Sequence, residues 1–390
     1  LIKEYENRFP NLKDKEYVFD DFDLTIPIGF SKNPDGTLKV RIKTFISVLS
    51  NDYTSSTVSL YGKINIKYPE KSEWDPETMA SPTHYIDKYG NARFSYKRDF
   101  WDDEYNNINK IIKIGYFYIN SKEVHTNGYS YPFNSKTIKI PLIQSPTMPR
   151  HINKVPELPE VITSIANMFY NNKSPNINGI EDWDTSNVVV MSSTFELSNF
   201  NQNISNWDTS NVDYMDRMFS WAKVFNQDIS GWDVWKVKSM VQMFWAASSF
   251  NQPLNNWDVS QVTYMSCMFW GASSFNQPLD DWNVSKVKNM DHMFHNAVNF
   301  NQPLNSWNTK NVQDMNSMFF AAKRFNQPLN KWDVSNVENM KNMFNRATSF
   351  NQPLDRWKPK SLETMESMFW GASSFNQDLS SWHLAKNAAR

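Results

Sequence analysis

Glycine is scarce in this chain, at 10 of 390 residues. So few glycines leave little room for the glycine-rich loops that cradle phosphates. Cysteine is scarcer: Cys267 stands alone. One thiol excludes an internal disulfide framework, and no cysteine-based metal site is expected from it. Charge of one sign is lacking too. Forty basic residues face 41 acidic ones, so there is no basic excess to neutralise a phosphate backbone, and nucleic acid is not expected as a partner. No run of 18 apolar residues occurs, which excludes a spanning helix. The first residues, Leu1-Ile2-Lys3-Glu4-Tyr5, carry no signal-peptide pattern, and any export signal or lipid anchor is expected to lie outside this sequence. What the chain has in quantity is aromatic side chains, 15% of residues with 16 Trp.

These aromatics are periodic. Trp recurs at 207, 232, 257, 282, 307, 332, 357 and 382, in steps of 25, with Trp183 preceding by 24. Phe219, Phe244, Phe269, Phe294, Phe319, Phe344 and Phe369 keep the period, as do Phe225, Phe250, Phe275, Phe300, Phe325, Phe350 and Phe375, each followed by Asn-Gln. A fixed period of this length marks a stacked-repeat architecture. Within one unit, Leu254, Trp257 and Val259 read as a short strand. Val262, Met265, Met268, Phe269 and Ala272 recur at spacings of three and four, which predicts a helix of about three turns. Ser260 stands at its N-cap, and Ser335 with Glu338 spells a capping box in a later unit. The expected fold is therefore an α/β solenoid of about nine coils, with a parallel sheet on one face and short helices on the other. Pro359 removes a ladder donor, so one strand is expected to be irregular. The first unit, Ile162 to Phe169, has no Trp strand of its own and needs one from outside. At the far end, Trp382 and Leu384 supply a last strand whose edge is expected to be uncapped.

The unit Met-x-x-Met-Phe-x-x-Ala-x-x-Phe-Asn-Gln-Pro-Leu-x-x-Trp-Asp-Val-Ser-x-Val resembles the BspA-like leucine-rich repeat family, in the 25-residue form abundant in mycoplasma surface proteins. The resemblance covers about 160–385. It implies a leucine-rich-repeat solenoid, export as a surface protein or lipoprotein, and adhesion or binding to host proteins. It implies no enzyme activity, no cofactor and no catalytic residue. Trp235, Lys310 and Lys360 depart from the motif at its Ser.

Residues 1–145 lack the period. Tyr17–Ile28, Leu38–Ser50, Thr57–Lys67, Ile111–Ser121 and Lys136–Leu142 read as strands of a β-rich, sandwich-like domain, with 69–92 as a long loop. Residues 146–160 form a Pro-rich joint, and 161–390 form the array.

Candidate sites follow from the columns. Asn201, Asn226, Asn251, Asn276, Asn301, Asn326, Asn351 and Asn376 read as a structural ladder whose amides satisfy backbone groups between coils. The column Asp184, Asp208, Asp233, Asp258, Asn283, Asn308 and Asp333 reads as a turn network, with a cation stripe as the alternative. His292 and His295 have metal-ligand spacing and Asp291 adjoins them, but a lone pair lacks a third ligand. No metal is expected. Cys267 is expected to be half exposed. The segment Trp101-Asp102-Asp103-Glu104-Tyr105 reads as a solvated acidic loop. The position after the Met-Phe pair holds Trp245, Trp270, His295, Phe320 and Trp370 in five of the units. On a helix it would turn about 140° away from the apolar stripe. Trp245, Trp270, Phe320 and Trp370 are therefore the candidate binding residues, unless they shield the seam between coils. The reading that follows is a non-catalytic binding module for a host or extracellular protein. The alternatives are a variable decoy antigen, since the units at Phe244, Phe269 and Phe369 are near-copies, and an enzyme in residues 1–145, for which no motif speaks.

Overall fold

A computed structural model of the chain describes residues 28–32, 38–48, 56–65, 81–95, 97–100, 108–119 and 142–382. Its N-terminal part contains three small antiparallel sheets. Strands β1 (Ile28–Lys32), β2 (Leu38–Val48) and β3 (Ser56–Asn65) form a meander. In the second sheet β4 (Thr83–Asp87) lies between β5 (Ala92–Ser95) and β6 (Ile108–Lys113), and β7 (Phe117–Ile119) pairs with β8 (Leu142–Gln144). The long loop expected over 69–92 therefore contains β4 and leads into β5. The hairpin turns at Gly90, whose φ of 84° suits glycine. The Asp87 carboxylate holds the turn by accepting the N–H groups of Tyr89 at 3.0 Å and Asn91 at 2.8 Å. The expected strand residues 17–27 and 136–141 lie outside the described residues.

From β8 onward the chain advances by one rung per unit. Single parallel bridges join Gln144, Ser164, Val190, Tyr214, Ser239, Tyr264, Asn289, Asp314, Asn339 and Thr364 in succession. The expected helices are absent: among the described residues of the repeats, the only helical element is a 3-10 turn at Ser380–Trp382. Where a helix was expected over Val262–Ala272, the backbone makes consecutive turns. Cys267 sits at φ 59° and Gly271 at 68°. Every unit repeats this pair of left-handed positions four residues apart, as at Gln242 and Ala246, His292 and Asn296, or Ser317 and Ala321. A helix requires unbroken right-handed residues, so two left-handed residues per unit prevent one. The strand expected over Leu254–Val259 is also a turn, closed by Trp257 N–H donating to Leu254 O at 3.1 Å. Around Pro359 the regular turn is replaced by Lys360 N–H donating to Lys358 O at 2.9 Å.

The conformation is maintained because the neighbouring coil supplies the hydrogen bonds that a helix would have supplied internally. The N–H groups of Met265, Cys267, Phe269 and Gly271 donate to the carbonyls of Asn289, Asp291, Met293 and His295, at 3.2, 2.8, 2.9 and 2.7 Å. Met290, His292, Phe294 and Asn296 donate in the same way to Asp314, Asn316, Met318 and Phe320. The peptide units in these four columns all point along the stack in one direction, N–H toward the C-terminal end. Each carries a dipole of about 3.5 D, so the columns sum as a helix does. Other bonds run the other way, through Thr263 N–H to Lys238 O and its equivalents and through Ser249 N–H to Lys223 O and Ser274 N–H to Ser248 O.

The two ends of the stack differ. At the start, the carbonyls of Ser164 and Met168 accept N–H groups from Ser145 and Met148, and Ala166 O accepts the Gln144 amide at 2.5 Å. Strand β8 and the joint thus supply the missing rung, and Met148, Ile152, Val155 and Leu158 share one continuous core with the repeats. At the other end, the N–H groups of Met365, Ser367, Phe369 and Gly371 meet no acceptor among the described residues.

The core matches the apolar pattern of the sequence: Val262, Met265, Met268, Phe269 and Ala272 are all fully buried. Two Phe ladders stack along the axis, for example Phe269 on Phe294 at 5.6 Å and Phe275 on Phe300 at 6.0 Å. Each Trp of the third ladder donates its Nε1–H to a carbonyl of the preceding coil, as Trp282 does to Leu254 at 2.8 Å. The one polar atom of a buried indole is thereby satisfied.

Candidate functional site

The candidate binding residues form a fourth aromatic column, on the outside of the turns. Trp221 stacks toward Trp245 at 6.1 Å, and Trp245 on Trp270 at 5.2 Å. Trp270 meets His295 at 4.5 Å, and His295 lies on Phe320 at 4.4 Å. Beyond Phe320 the guanidinium of Arg346 continues the row, 5.9 Å from the Phe320 ring and 4.8 Å from that of Trp370. The structure therefore brings Trp245, Trp270, Phe320 and Trp370 into one row. It also places them against one another, so that Trp245, Trp270 and Phe320 are half-buried while Trp370 is 58% exposed. The rings pack on one another along the seam between coils and stay partly exposed. The row has two members that the pattern after Met-Phe did not single out. Trp221 lies one residue further along its unit and is 39% exposed. Arg346 occupies that same shifted position, and its planar charged group suits stacking on aromatic faces.

Burial and the apolar neighbours of His295 push its imidazole down to a pKa of about 3, with His292 adding to the effect. At neutral pH the ring is uncharged and behaves as one more aromatic step.

The row ends in a cavity of about 450 Å³, lined by Met365, Ser367, Met368, Phe369, Trp370, Leu379 and Trp382. Three of the four N–H donors at the end of the stack, those of Met365, Ser367 and Phe369, belong to lining residues. None of the lining side chains titrates near neutral pH, so the cavity offers apolar contact and hydrogen-bond donors without an acid or base.

The Asn ladder links successive coils and is half-buried from Asn201 to Asn351, with Asn376 exposed. Asn251 Oδ1 accepts both the N–H of Asn276 at 2.9 Å and the Gln277 amide at 3.2 Å. The links from Asn201 to Asn226, Asn226 to Asn251, Asn276 to Asn301, Asn301 to Asn326, Asn326 to Asn351 and Asn351 to Asn376 repeat the first bond. The Asp column closes turns: Asp258 Oδ1 accepts the N–H of Ser260 at 3.0 Å, and Asp333 that of Ser335 at 3.0 Å. Hydrogen bonds from the Ser186 and Ser335 hydroxyls, with the N–H groups of the same two residues adding to them, hold the Asp184 and Asp333 carboxyls below the usual range. Neither Ser260 nor Ser335 caps a helix. Cys267, expected half exposed, is 3% exposed, because its column lies between neighbouring coils and not on an outer helix face. The Trp101–Tyr105 segment lies outside the described residues.

A family model described as Mycoplasma protein of unknown function, DUF285, matches residues 163–278, 253–338 and 305–389. Together these matches take in the repeats from Ser164 to the last Trp unit. No curated protein and no solved structure matches the chain. Among the described residues no helix is long and apolar enough to cross a membrane.

Proposed function

The chain belongs to the mycoplasma repeat family DUF285, and from that premise we propose that it is a non-catalytic repeat protein displayed at the cell surface, where it binds a host or extracellular protein through the outer aromatic row. We read the stack as a solenoid of the leucine-rich-repeat class in which turns stand where helices are usual. The observation that carries the proposal is the row itself. Seven consecutive positions, Trp221, Trp245, Trp270, His295, Phe320, Arg346 and Trp370, make an outer surface held by inter-coil hydrogen bonds. Aromatic and Arg side chains are the usual anchors of protein interfaces. Rings already locked by stacking lose little rotamer freedom on binding. Two rings, Trp221 and Trp370, are the most exposed members.

The test uses the full chain and its Trp221→Ser, Trp370→Ser double variant. Extracellular host proteins captured by the full chain are identified, and the affinity of each for both proteins is measured. Loss of about 2 kcal/mol or more per ring, with an unchanged melting temperature, is the expected result. Equal affinity of a stable double variant would overturn this placement of the site. A second reading, a variable decoy antigen, has support in the near-identical units beginning at Phe244, Phe269 and Phe369. It predicts no saturable host partner in the same capture.

A further inference from the structure

We propose that Cys267, Asp291 and His292 form a binding site for one divalent transition-metal ion at the seam between two adjacent coils. One ligand atom from each residue, the thiol sulfur, a carboxylate oxygen and an imidazole nitrogen, lies within 4.8 Å of the others. All three side chains are enclosed, with exposures of 3%, 7% and 9%. The spacing follows from the repeat. Cys267 and His292 are 25 residues apart and so occupy the same position in successive coils. The Cys267 N–H donates to Asp291 O at 2.8 Å. The backbone thus clamps the two sides of the site together before any ion arrives.

Asp291 supplies the second, independent observation. Its Oδ2 lies 3.0 Å from His292 Nδ1, but its Oδ1 is buried with no hydrogen-bond partner. A buried carboxylate oxygen without a donor is rare in folded proteins and asks for an explanation. A cation supplies one. Nearby, His295 Nδ1 is buried and likewise without a partner, with its ring 5.3 Å from that of His292. A water can complete a fourth position.

The donor set selects the ion. Sulfur, nitrogen and oxygen together suit zinc or cobalt in tetrahedral geometry, with bonds of about 2.0–2.3 Å. Calcium and magnesium want oxygen ligands only. Charge also balances. When the ion binds, the Cys267 S–H bond breaks and its proton goes to solvent, a metal–sulfur bond forms, and neutral His292 and the Asp291 carboxylate bind through lone pairs. Two negative ligands then cancel the charge of the ion, so the buried site is neutral.

The other coils provide an internal comparison. The column of Cys267 and His292 holds Arg217, Gln242, Ser317, Asn342 and Ser367 elsewhere, and the column of Asp291 holds Asp216, Val241, Ser266, Asn316, Lys341 and Glu366, so two other coils carry a carboxylate but without a thiol and imidazole beside it. Among the described residues, thiol, imidazole and carboxylate meet at this one seam. One cysteine cannot build a cysteine cluster, but it suffices for a mixed site.

Cobalt(II) is the probe. The full chain, freed of metal by chelator, is titrated with Co(II) and followed by absorption. The expected result is one equivalent bound with a thiolate-to-cobalt charge-transfer band, displaced by Zn(II). Cys267→Ser should abolish that band, and His292→Asn should weaken binding at least tenfold. Ser317 and Asn342 already hold those side chains in the same column, so both variants keep the fold, which circular dichroism checks. Absence of the band in the full chain would overturn the proposal and leave a buried Asp291–His292 pair beside a thiol. So would an unchanged cobalt spectrum in folded Cys267→Ser.

Discussion

Replacing Trp282 by Ala removes an indole that is 3% exposed, stacked on Trp307 at 6.3 Å and close to Phe269 at 6.4 Å. Large-to-small changes of this kind cost about 3–5 kcal/mol in transfer and cavity terms. The lost hydrogen bond adds little, because Leu254 O still accepts the N–H of Trp257 at 3.1 Å and is not left bare. Trp282→Phe, which keeps a ring and loses the Nε1–H, should cost only about 1–2 kcal/mol. The damage should also be local. Each coil touches only its neighbours, so free energy is shared between adjacent units. Hydrogen exchange followed by mass spectrometry reads this directly. The donors Met265–Gly271 and Met290–Asn296 should lose protection in Trp282→Ala. Protection at 165–171, several coils away, should change far less. Urea denaturation gives the total. Unchanged protection around residue 282, or equal losses in the Ala and Phe variants, would refute both the inward placement of the Trp ladder and the magnitude worked from it.

Two further outcomes follow from the backbone and from a buried acid. Ala321 sits at φ 52°, a region that costs a residue with a Cβ about 1 kcal/mol, whereas glycine adopts it freely. Gly271 and Gly371 fill the equivalent place in other coils, so Ala321→Gly should raise the urea midpoint, and a lowered midpoint would show the left-handed turn to be misplaced. Burial pushes the Asp216 carboxyl above the usual range, while Ser239 Oγ–H and Val241 N–H donate to its Oδ1. The folded state then holds the proton more tightly than the unfolded one, so stability falls as pH rises from about 4 through the raised value. Asp216→Asn keeps an acceptor for both donors and stays neutral. It should be more stable than the parent at pH 7, with the gap closing near pH 4, and a gap that persists in acid would contradict the assignment.

Sequence alone determined the period, the membership of the core and the ladders. A 25-residue repeat of Trp, Phe and Met requires identical side chains to stack, and the buried residues are those same positions. The Asn-Gln pairs were legible for the same reason, since an amide recurring at one turn must meet its copies. The period even places Cys267 beside His292, a juxtaposition hidden when His292 and His295 are considered within their own unit. In the N-terminal part, the hairpin of β4 and β5 passed as loop because its strands are short and polar, although Gly90-Asn91 marked its turn. What the tertiary structure alone decided is the backbone conformation of the repeats. Apolar spacings of three and four say which side chains face inward, and a helix and a chain of turns share them. The choice depends on where each N–H finds its acceptor. A coil lying one rung away offers carbonyls to Met265, Cys267, Phe269 and Gly271 at hydrogen-bonding distance, and that neighbour is 25 residues distant in the chain. No local pattern records its presence, so the left-handed turns, the common direction of the peptide dipoles and the unlike ends of the stack emerged only when the coils were assembled.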